Sequence, residues 1–325
     1  MPNWIDEAGP IRSGEELDGK RLETYLKENI TGLETPIAVE QFPRGYSNLT
    51  YLIHAGKREL VLRRPPFGAN IKSAHDMHRE YRILSGLKDI YPKAAVPYLY
   101  CEDESIVGAP FYVMERKEGV ILRPQMPLGM VPPPDTMRKI ADSFIDTMVE
   151  LHSVDYKKAG LAKLGHPEGY VERQITGWAK RYEKAKTQKL PKIDQLAKWL
   201  LENIPEESSA CLIHNDFKYD NLVLDPEDWT SVIAVLDWEM ATIGDPFMDL
   251  GSSLGYWINP DDPPFLHDLQ LSPTTVKGNP TRAEVVNQYC LKADINIKDP
   301  VFYFAYGLLK VAVIAQQIYY RYRKG

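Results

Sequence analysis

The sequence predicts an α+β protein of two lobes, a small antiparallel sheet followed by a larger, mostly helical part. Three observations carry that prediction. Five short apolar runs in residues 1–118 are separated by turn signals, as strands are. From residue 119 onward most apolar residues recur at helical spacing over long segments. A chain of 325 residues is also too long for one ordinary core and suits two.

Residues 17–29 read as a helix, with Leu17, Leu22, Tyr25 and Leu26 near one face. Segments 37–42, 49–55 and 59–64 read as strands. Pro43-Arg44-Gly45 separates the first two and Gly56-Lys57 the next, as hairpin turns would. A helix over 73–87 carries His78, Glu80 and Leu84, and strands follow over 98–101 and 110–116. The join between lobes falls at 115–120, where Gly119 punctuates the chain. This gives a first lobe of 1–118 and a second of 119–325. In the second, 123–134 is a Pro-rich loop, and 135–153, 168–186 and 193–203 are helical. Short strand-like pieces at 211–225 and 230–236 precede helices over 247–256, 282–293 and 299–323.

Composition narrows the function classes. Hydrophobic residues are 44% and charged residues 26% of the chain, the usual balance of a soluble globular protein. Lys plus Arg is 39 against 45 Asp plus Glu, a net charge of −6. That argues against a broad basic surface for nucleic acid. Cys101, Cys211 and Cys290 form no C-x-x-C pair, so neither zinc nor a disulfide framework is expected. The first ten residues are polar and include Asp6 and Glu7, unlike a signal peptide. The apolar run around 308–314 contains Lys310 and reads as too short for a bilayer. A cytoplasmic location, no membrane and no protein partner are the expectations.

The chemistry is concentrated in His214-Asn215-Asp216-Phe217-Lys218-Tyr219-Asp220-Asn221, followed by the acidic Asp237-Trp238-Glu239 after an apolar run. Asp and Asn are common turn residues, so an isolated H-x-D carries little. Here Asn221 stands five positions after Asp216 and leads into a buried-looking strand, and Asp237 ends another. Phosphoryl transfer needs this set: a carboxylate beside the attacking hydroxyl, and oxygen ligands holding Mg²⁺ on the phosphates. Asp216 suits the first task, Asn221 and Asp237 the second. His214 reads as a packing residue.

These segments, together with Gly244-Asp245-Pro246 through Asp249-Leu250 and Leu151-His152 with Asp155, resemble the aminoglycoside phosphotransferase and choline kinase family, whose fold is that of protein kinases. The resemblance runs from about Ile37 to the last helix. It implies Asp216 as catalytic base, Asn221 and Asp237 as magnesium ligands, and Glu239 near the metal or its waters. It implies structural roles, buried pairing or helix capping, for Asp245 and Asp249. ATP, or GTP, and Mg²⁺ are the implied cofactors. In the first lobe, the resemblance makes Gly45-Tyr46-Ser47-Asn48 the candidate phosphate-covering loop, although with one glycine it reads equally as a hairpin turn; in the former role Ser47 and Asn48 would donate to phosphate. The third strand ends Leu62-Arg63-Arg64, with Arg where the family's kinases carry Lys. Alternation puts the two arginines on opposite faces. The resemblance favours Arg63 in the cleft, with Glu80 as partner. Met114 would line the purine pocket, with Glu115 and Lys117 marking the linker by backbone alone.

Asp245-Pro246 follows Asp237 too soon for the long activation segment of a protein kinase, so a small-molecule hydroxyl is the expected acceptor. The stretches Leu-Val-Leu-Arg-Arg-Pro-Pro and Leu-Asp-Trp-Glu-Met-Ala-Thr-Ile-Gly-Asp-Pro are similar to phosphotransferase domains fused to acyl-CoA dehydrogenases, which implies a hydroxy acid or hydroxyacyl acceptor. Lys218 and Arg123 are the candidate basic groups for an anionic acceptor, and Lys218 equally suits the transferring phosphoryl group. An aminoglycoside kinase and a nucleotide-binding pseudokinase serving as scaffold or sensor are the alternatives.

Overall fold

The structure, a computed structural model, describes residues 4–43, 48–68, 76–127, 129–206, 208–269 and 271–324. The chain divides into two compact units. The first is Met1–Val120 with Val223–Glu227 and Ile233–Glu239; the second is Ile121–Leu222 with Asp228–Val232 and Met240–Gly325. In chain order the elements are α1 (Gly19–Asn29), β1 (Ile37–Gln41), β2 (Leu49–Ala55), β3 (Arg58–Arg64), α2 (Met77–Leu87), β4 (Pro97–Cys101), α3 (Glu104–Val107) and β5 (Phe111–Glu115). Then come α4 (Pro134–His152), α5 (Tyr170–Ala185), α6 (Pro191–Glu202), β6 (Cys211–Ile213), β7 (Leu222–Leu224), β8 (Val232–Val235), β9 (Thr242–Gly244), α7 (Pro246–Gly255), α8 (Pro264–Leu269), α9 (Arg282–Ala293) and α10 (Pro300–Lys324).

The first unit is built on an antiparallel sheet of order β1-β2-β3-β5-β4. Alternation along the strands makes it two-faced. Tyr51, Ile53, Leu60, Leu62, Phe111 and Val113 join one core with Leu22 and Leu26 of α1. Val61, Arg63, Tyr112 and Met114 therefore take the other face, and the register pairs Val61 with Met114 and Arg63 with Tyr112. Helix α2 starts at Met77 because Asp76 caps it, accepting from the Arg79 N–H at 2.9 Å. Residues 73–75 of the expected helix lie outside the described residues. Val120 bonds in both directions with Leu224 (2.9 and 2.8 Å). That approach requires Gly119, where a Cβ would run into the Leu224 carbonyl and the Val223 side chain. The Val235 N–H reaches the Lys93 carbonyl at 2.8 Å, so the end of β8 is held in this unit.

In the second unit α7 is buried along its whole length. Its N-terminus is capped by Asp245, whose carboxylate accepts from the Phe247 N–H at 2.7 Å and the Met248 N–H at 3.3 Å. Glycines set its approach to α10: a Cβ at Gly255 would stand 2.7 Å from the Gly307 carbonyl, and one at Gly307 would strike the Gly251 carbonyl. Among the described residues α10 is the one helix long and apolar enough to cross a membrane, a longer stretch than the 308–314 run indicated. In this unit it packs on α7, α5 and α6. Phe144 of α4 meets Phe217 (4.8 Å) and Trp257 (5.5 Å) edge-on and Tyr219 (4.9 Å) at a tilt, and so fastens the 214–221 segment to the helices.

Candidate active site

Each unit carries one constellation of chemistry-bearing side chains. In the first unit Arg63 is the centre. Nearly buried, it gives one guanidinium nitrogen to Glu80 of α2 and the other to the Asp237 carboxylate at 3.0 Å. Glu80 is 1% exposed and also accepts from the Trp238 N–H at 3.2 Å. Burial by itself would lower the Arg63 pKa, but Glu80, Tyr112, Asp237 and Glu239 hold it well above the ordinary value. Burial pushes the Glu80 carboxyl up, with Asp237 adding to the rise and Arg63 opposing it. Asp237 follows β8 with a left-handed backbone, φ 65°, which turns the chain sharply after the strand.

Arg64 faces the other way. It donates to the Val107 carbonyl at 2.6 Å and the Pro65 carbonyl at 2.9 Å and lies over the Phe67 ring at 3.6 Å. The alternation left open in the sequence thus puts Arg63, not Arg64, against Glu80. Asn48, expected as a phosphate donor, is buried and gives its amide to Glu239 at 3.0 Å. Ser47 and the rest of 44–47 lie outside the described residues. Met114 is buried on the face that carries Arg63. Glu115 pairs its N–H with the Val96 carbonyl (2.8 Å) and its carboxylate with the Val96 N–H and Lys117, both at 3.1 Å. The Glu115 and Lys117 side chains are therefore engaged with the segment's own surroundings.

In the second unit the centre is Asp216. It follows Asn215, also left-handed at φ 65°, whose strain is held by many bonds. The fully buried Asp249 carboxylate of α7 accepts both the His214 N–H and the Asn215 N–H at 2.7 Å, and His152 meets it at 3.1 Å. The Asn215 side chain accepts from the Tyr170 hydroxyl and donates to the Met240 carbonyl, each at 3.0 Å. Asn221 donates its amide to the Asp216 carbonyl (2.8 Å) and carboxylate (3.1 Å). Since its nitrogen is engaged by acceptors, its Oδ1 is the atom left for another partner. Lys218 sits 3.2 Å from Asp216 and 3.6 Å from Asp220, with its ammonium 5.1 Å from the centre of the Tyr256 ring. Burial would raise the Asp216 pKa, yet Lys218, Lys310 and His214 carry it below the ordinary value. Burial raises Asp220, with Lys218 opposing. Lys218 itself is driven up by Asp216 and Asp220 against the effect of burial.

His214 is buried, its ring edge-on to Phe217 at 6.0 Å, and packs as expected. Tyr256, Asp220 and Lys310 were not singled out as site residues from the sequence. Tyr256 and Asp220 carry no spacing signal, and Lys310 registered only as a break in an apolar run. Among the described residues no three His, Cys, Asp or Glu side chains converge as a cation cage. In the first unit Asp237 and Glu239 present carboxylate oxygens, and in the second unit Asn221 presents a carboxamide oxygen. Oxygens are the donor type that a hard cation takes.

The sequence profile of the phosphotransferase enzyme family matches residues 38–284. Acyl-CoA dehydrogenase family member 10 of Mus musculus is 37% identical over 321 residues, which make up 98% of this chain and 30% of that one. The chain thus spans less than a third of that relative's length. A candidate aminoglycoside phosphotransferase from Ralstonia eutropha superimposes with a TM-score of 0.79 at 31% identity, covering 95% of this chain and 91% of that one. Choline kinase from Cryptosporidium parvum shares the fold with a TM-score of 0.56 at 15% identity, covering 94% and 88%.

Proposed function

This chain belongs to the phosphotransferase enzyme family, and from that premise we propose that it moves the γ-phosphoryl group of ATP or GTP to a hydroxyl of a small molecule, with Mg²⁺. The observation that carries the reading is Asp216, a carboxylate kept ionised by Lys218 and Lys310 and braced by Asn221. It is the group that takes the acceptor's proton. The acceptor oxygen forms a bond to the γ-phosphorus, the bond to the nucleotide's bridging oxygen breaks, and the proton passes to Asp216. Lys218 steadies the carboxylate and the charge of the transferring group. By the family resemblance Asp237 and Asn221 would each give an oxygen to Mg²⁺, and the ion would offset phosphate charge. Arg63 takes the place of the family's lysine toward the nucleotide. Its fork geometry already engages Glu80 and Asp237. Positioning and electrostatics supply the rate.

A small acceptor is favoured because α7 begins at Pro246, nine positions after Asp237, which is too few residues for a platform that binds a protein substrate. Within the acceptor class, we favour a hydroxy acid or hydroxyacyl compound over a polycation. Asp216 and Asp220 are offset by Lys218 and, on Asp220, by Arg123, so this cluster presents no surplus of negative charge. The name carried by the acyl-CoA dehydrogenase relative supports the same choice.

The test is thermal unfolding with Mg²⁺ and ATP or GTP, for wild type and Asp237→Ala, followed by phosphate transfer to a panel of hydroxy acids. A nucleotide at ~100 times its Kd stabilises by about 2.7 kcal/mol, a shift of several degrees. A metal-dependent shift in wild type that Asp237→Ala loses agrees with the proposal. No shift with either nucleotide would turn the reading toward a protein without turnover.

A further inference from the structure

Lys310 is 1% exposed, an expensive place for an ammonium. It has three donors, and among the described residues one hydrogen bond engages them: Nζ donates to the carbonyl of Asn215. The Trp178 ring lies 5.9 Å from Nζ. Among charged groups, Asp216 and Asp249 attract Lys310, Lys218 and Arg181 repel it, and burial lowers its pKa. A methionine would fill the same space at less cost, so packing does not explain the charge.

The bond falls on a particular peptide. Asn215 is left-handed, its N–H taken by Asp249 and its side chain by Tyr170 and Met240. The carbonyl is the remaining handle. It shares one rigid plane with the N–H of Asp216, and that N–H reaches His214 Nδ1 at 3.3 Å. Whatever fixes the carbonyl fixes the direction in which Asp216 leaves the chain. Helix α10 can deliver the ammonium there because Gly307, one turn earlier, lets it lie against Gly251 and Gly255 of α7.

We propose that Lys310 is a positioning residue for Asp216, acting through the Asn215 carbonyl to set the peptide plane from which the Asp216 carboxylate is aimed. The inference rests on the reading of Asp216 as the general base. It assigns to the last helix a part in the chemistry that neither the catalytic segment nor the metal-binding residues supply.

The experiment compares wild type, Lys310→Met, Lys310→Gln, Asp216→Asn and the double variant Lys310→Met/Asp216→Asn. The reaction read is Mg²⁺-dependent ATP hydrolysis, transfer to water, which needs no identified acceptor. Thermal unfolding, Mg²⁺-ATP affinity and the NMR signal of the Asp216 amide are measured alongside. Lys310→Met is expected to fold, to bind Mg²⁺-ATP within about twofold of wild type and to hydrolyse it about tenfold or more slowly, because small misplacement of a reacting group is costly. The Asp216 amide signal should move. Lys310→Gln, which still donates to the carbonyl, should recover most of the rate and bring the signal back. The double variant should be no slower than Asp216→Asn alone. A folded Lys310→Met with wild-type hydrolysis, or with the Asp216 amide signal unmoved, overturns the proposal. Should Lys310→Met fail to fold, Lys310→Gln decides: a displaced Asp216 amide in it refutes positioning by this bond, and an undisplaced one supports it. Wild-type hydrolysis by Asp216→Asn would instead sink the assignment of the base. The amide signal reports on Lys310 regardless of that result.

Discussion

Replacing Asp249 with alanine should be among the most damaging single changes in the second unit. Asp249 is fully buried, and its two oxygens accept the N–H groups of His214 and Asn215 at 2.7 Å each, with His152 on the same carboxylate at 3.1 Å. Hydrogen bonds to a charged acceptor contribute about 1.5–3 kcal/mol each. Their loss is partly offset by no longer burying a carboxylate, and removing one partner of such a buried set typically costs about 3–5 kcal/mol. That is the expected loss for Asp249→Ala. Asp249→Asn keeps one acceptor oxygen and turns an NH₂ toward the other N–H, so about half the loss is expected, roughly 1.5–2.5 kcal/mol. Urea denaturation followed by tryptophan fluorescence measures both, since Trp178 and Trp257 lie in the same unit. A loss below about 1 kcal/mol for the alanine variant would refute the view that this carboxylate holds the 214–216 backbone.

The same carboxylate makes a pH prediction. Burial would raise its pKa, but His152 and His214 bring it below the ordinary carboxylate value. Its contribution is therefore complete above about pH 4 and lost as pH falls through the depressed folded-state value. The stability gap between wild type and Asp249→Asn should close over that acidic range in denaturation curves taken at several pH values. Arg63→Met leaves Glu80 buried without its partner and should cost about 3–5 kcal/mol. Arg63→Met/Glu80→Leu should recover much of this, and a double variant as unstable as the single one would argue against the pairing as the cause. Gly307→Val drives a side chain into the Gly251 carbonyl and should lower stability by about 1–3 kcal/mol or more. An unchanged melting temperature would show that the α7–α10 crossing has slack.

Much of this was legible in the chain, and for identifiable reasons. The five strands of the first sheet were readable because each runs five to seven residues with turns between them. The side chains of the Asp216 segment carry their chemistry in their identity and spacing. Strand β9 was missed because three residues, Thr242–Gly244, are too few to show a period. Helices α3 and α8, of four and six residues, escaped for the same reason. The left-handed backbones of Asn215 and Asp237 were hidden, since neither is glycine. What holds them comes from far along the chain: Asp249 and Lys310 for Asn215, and Arg63 for Asp237. No local pattern reports such bonds. The bond from Asn48 to Glu239 also spans most of the chain, and no local pattern in the loop reports it.

Under the proposed reading of Asp237 as a magnesium ligand, the double engagement of Arg63 bears on ion selectivity. Asp237 already carries its own counter-ion, a guanidinium nitrogen 3.0 Å away. An incoming cation would join this carboxylate by exchange or sharing, not by simple addition. A singly charged ion would gain little over the charge it supplants, whereas a divalent one would bring a surplus, so Arg63 would set a threshold of valence. Because the same guanidinium also holds Glu80, a cation on Asp237 would be felt at helix α2.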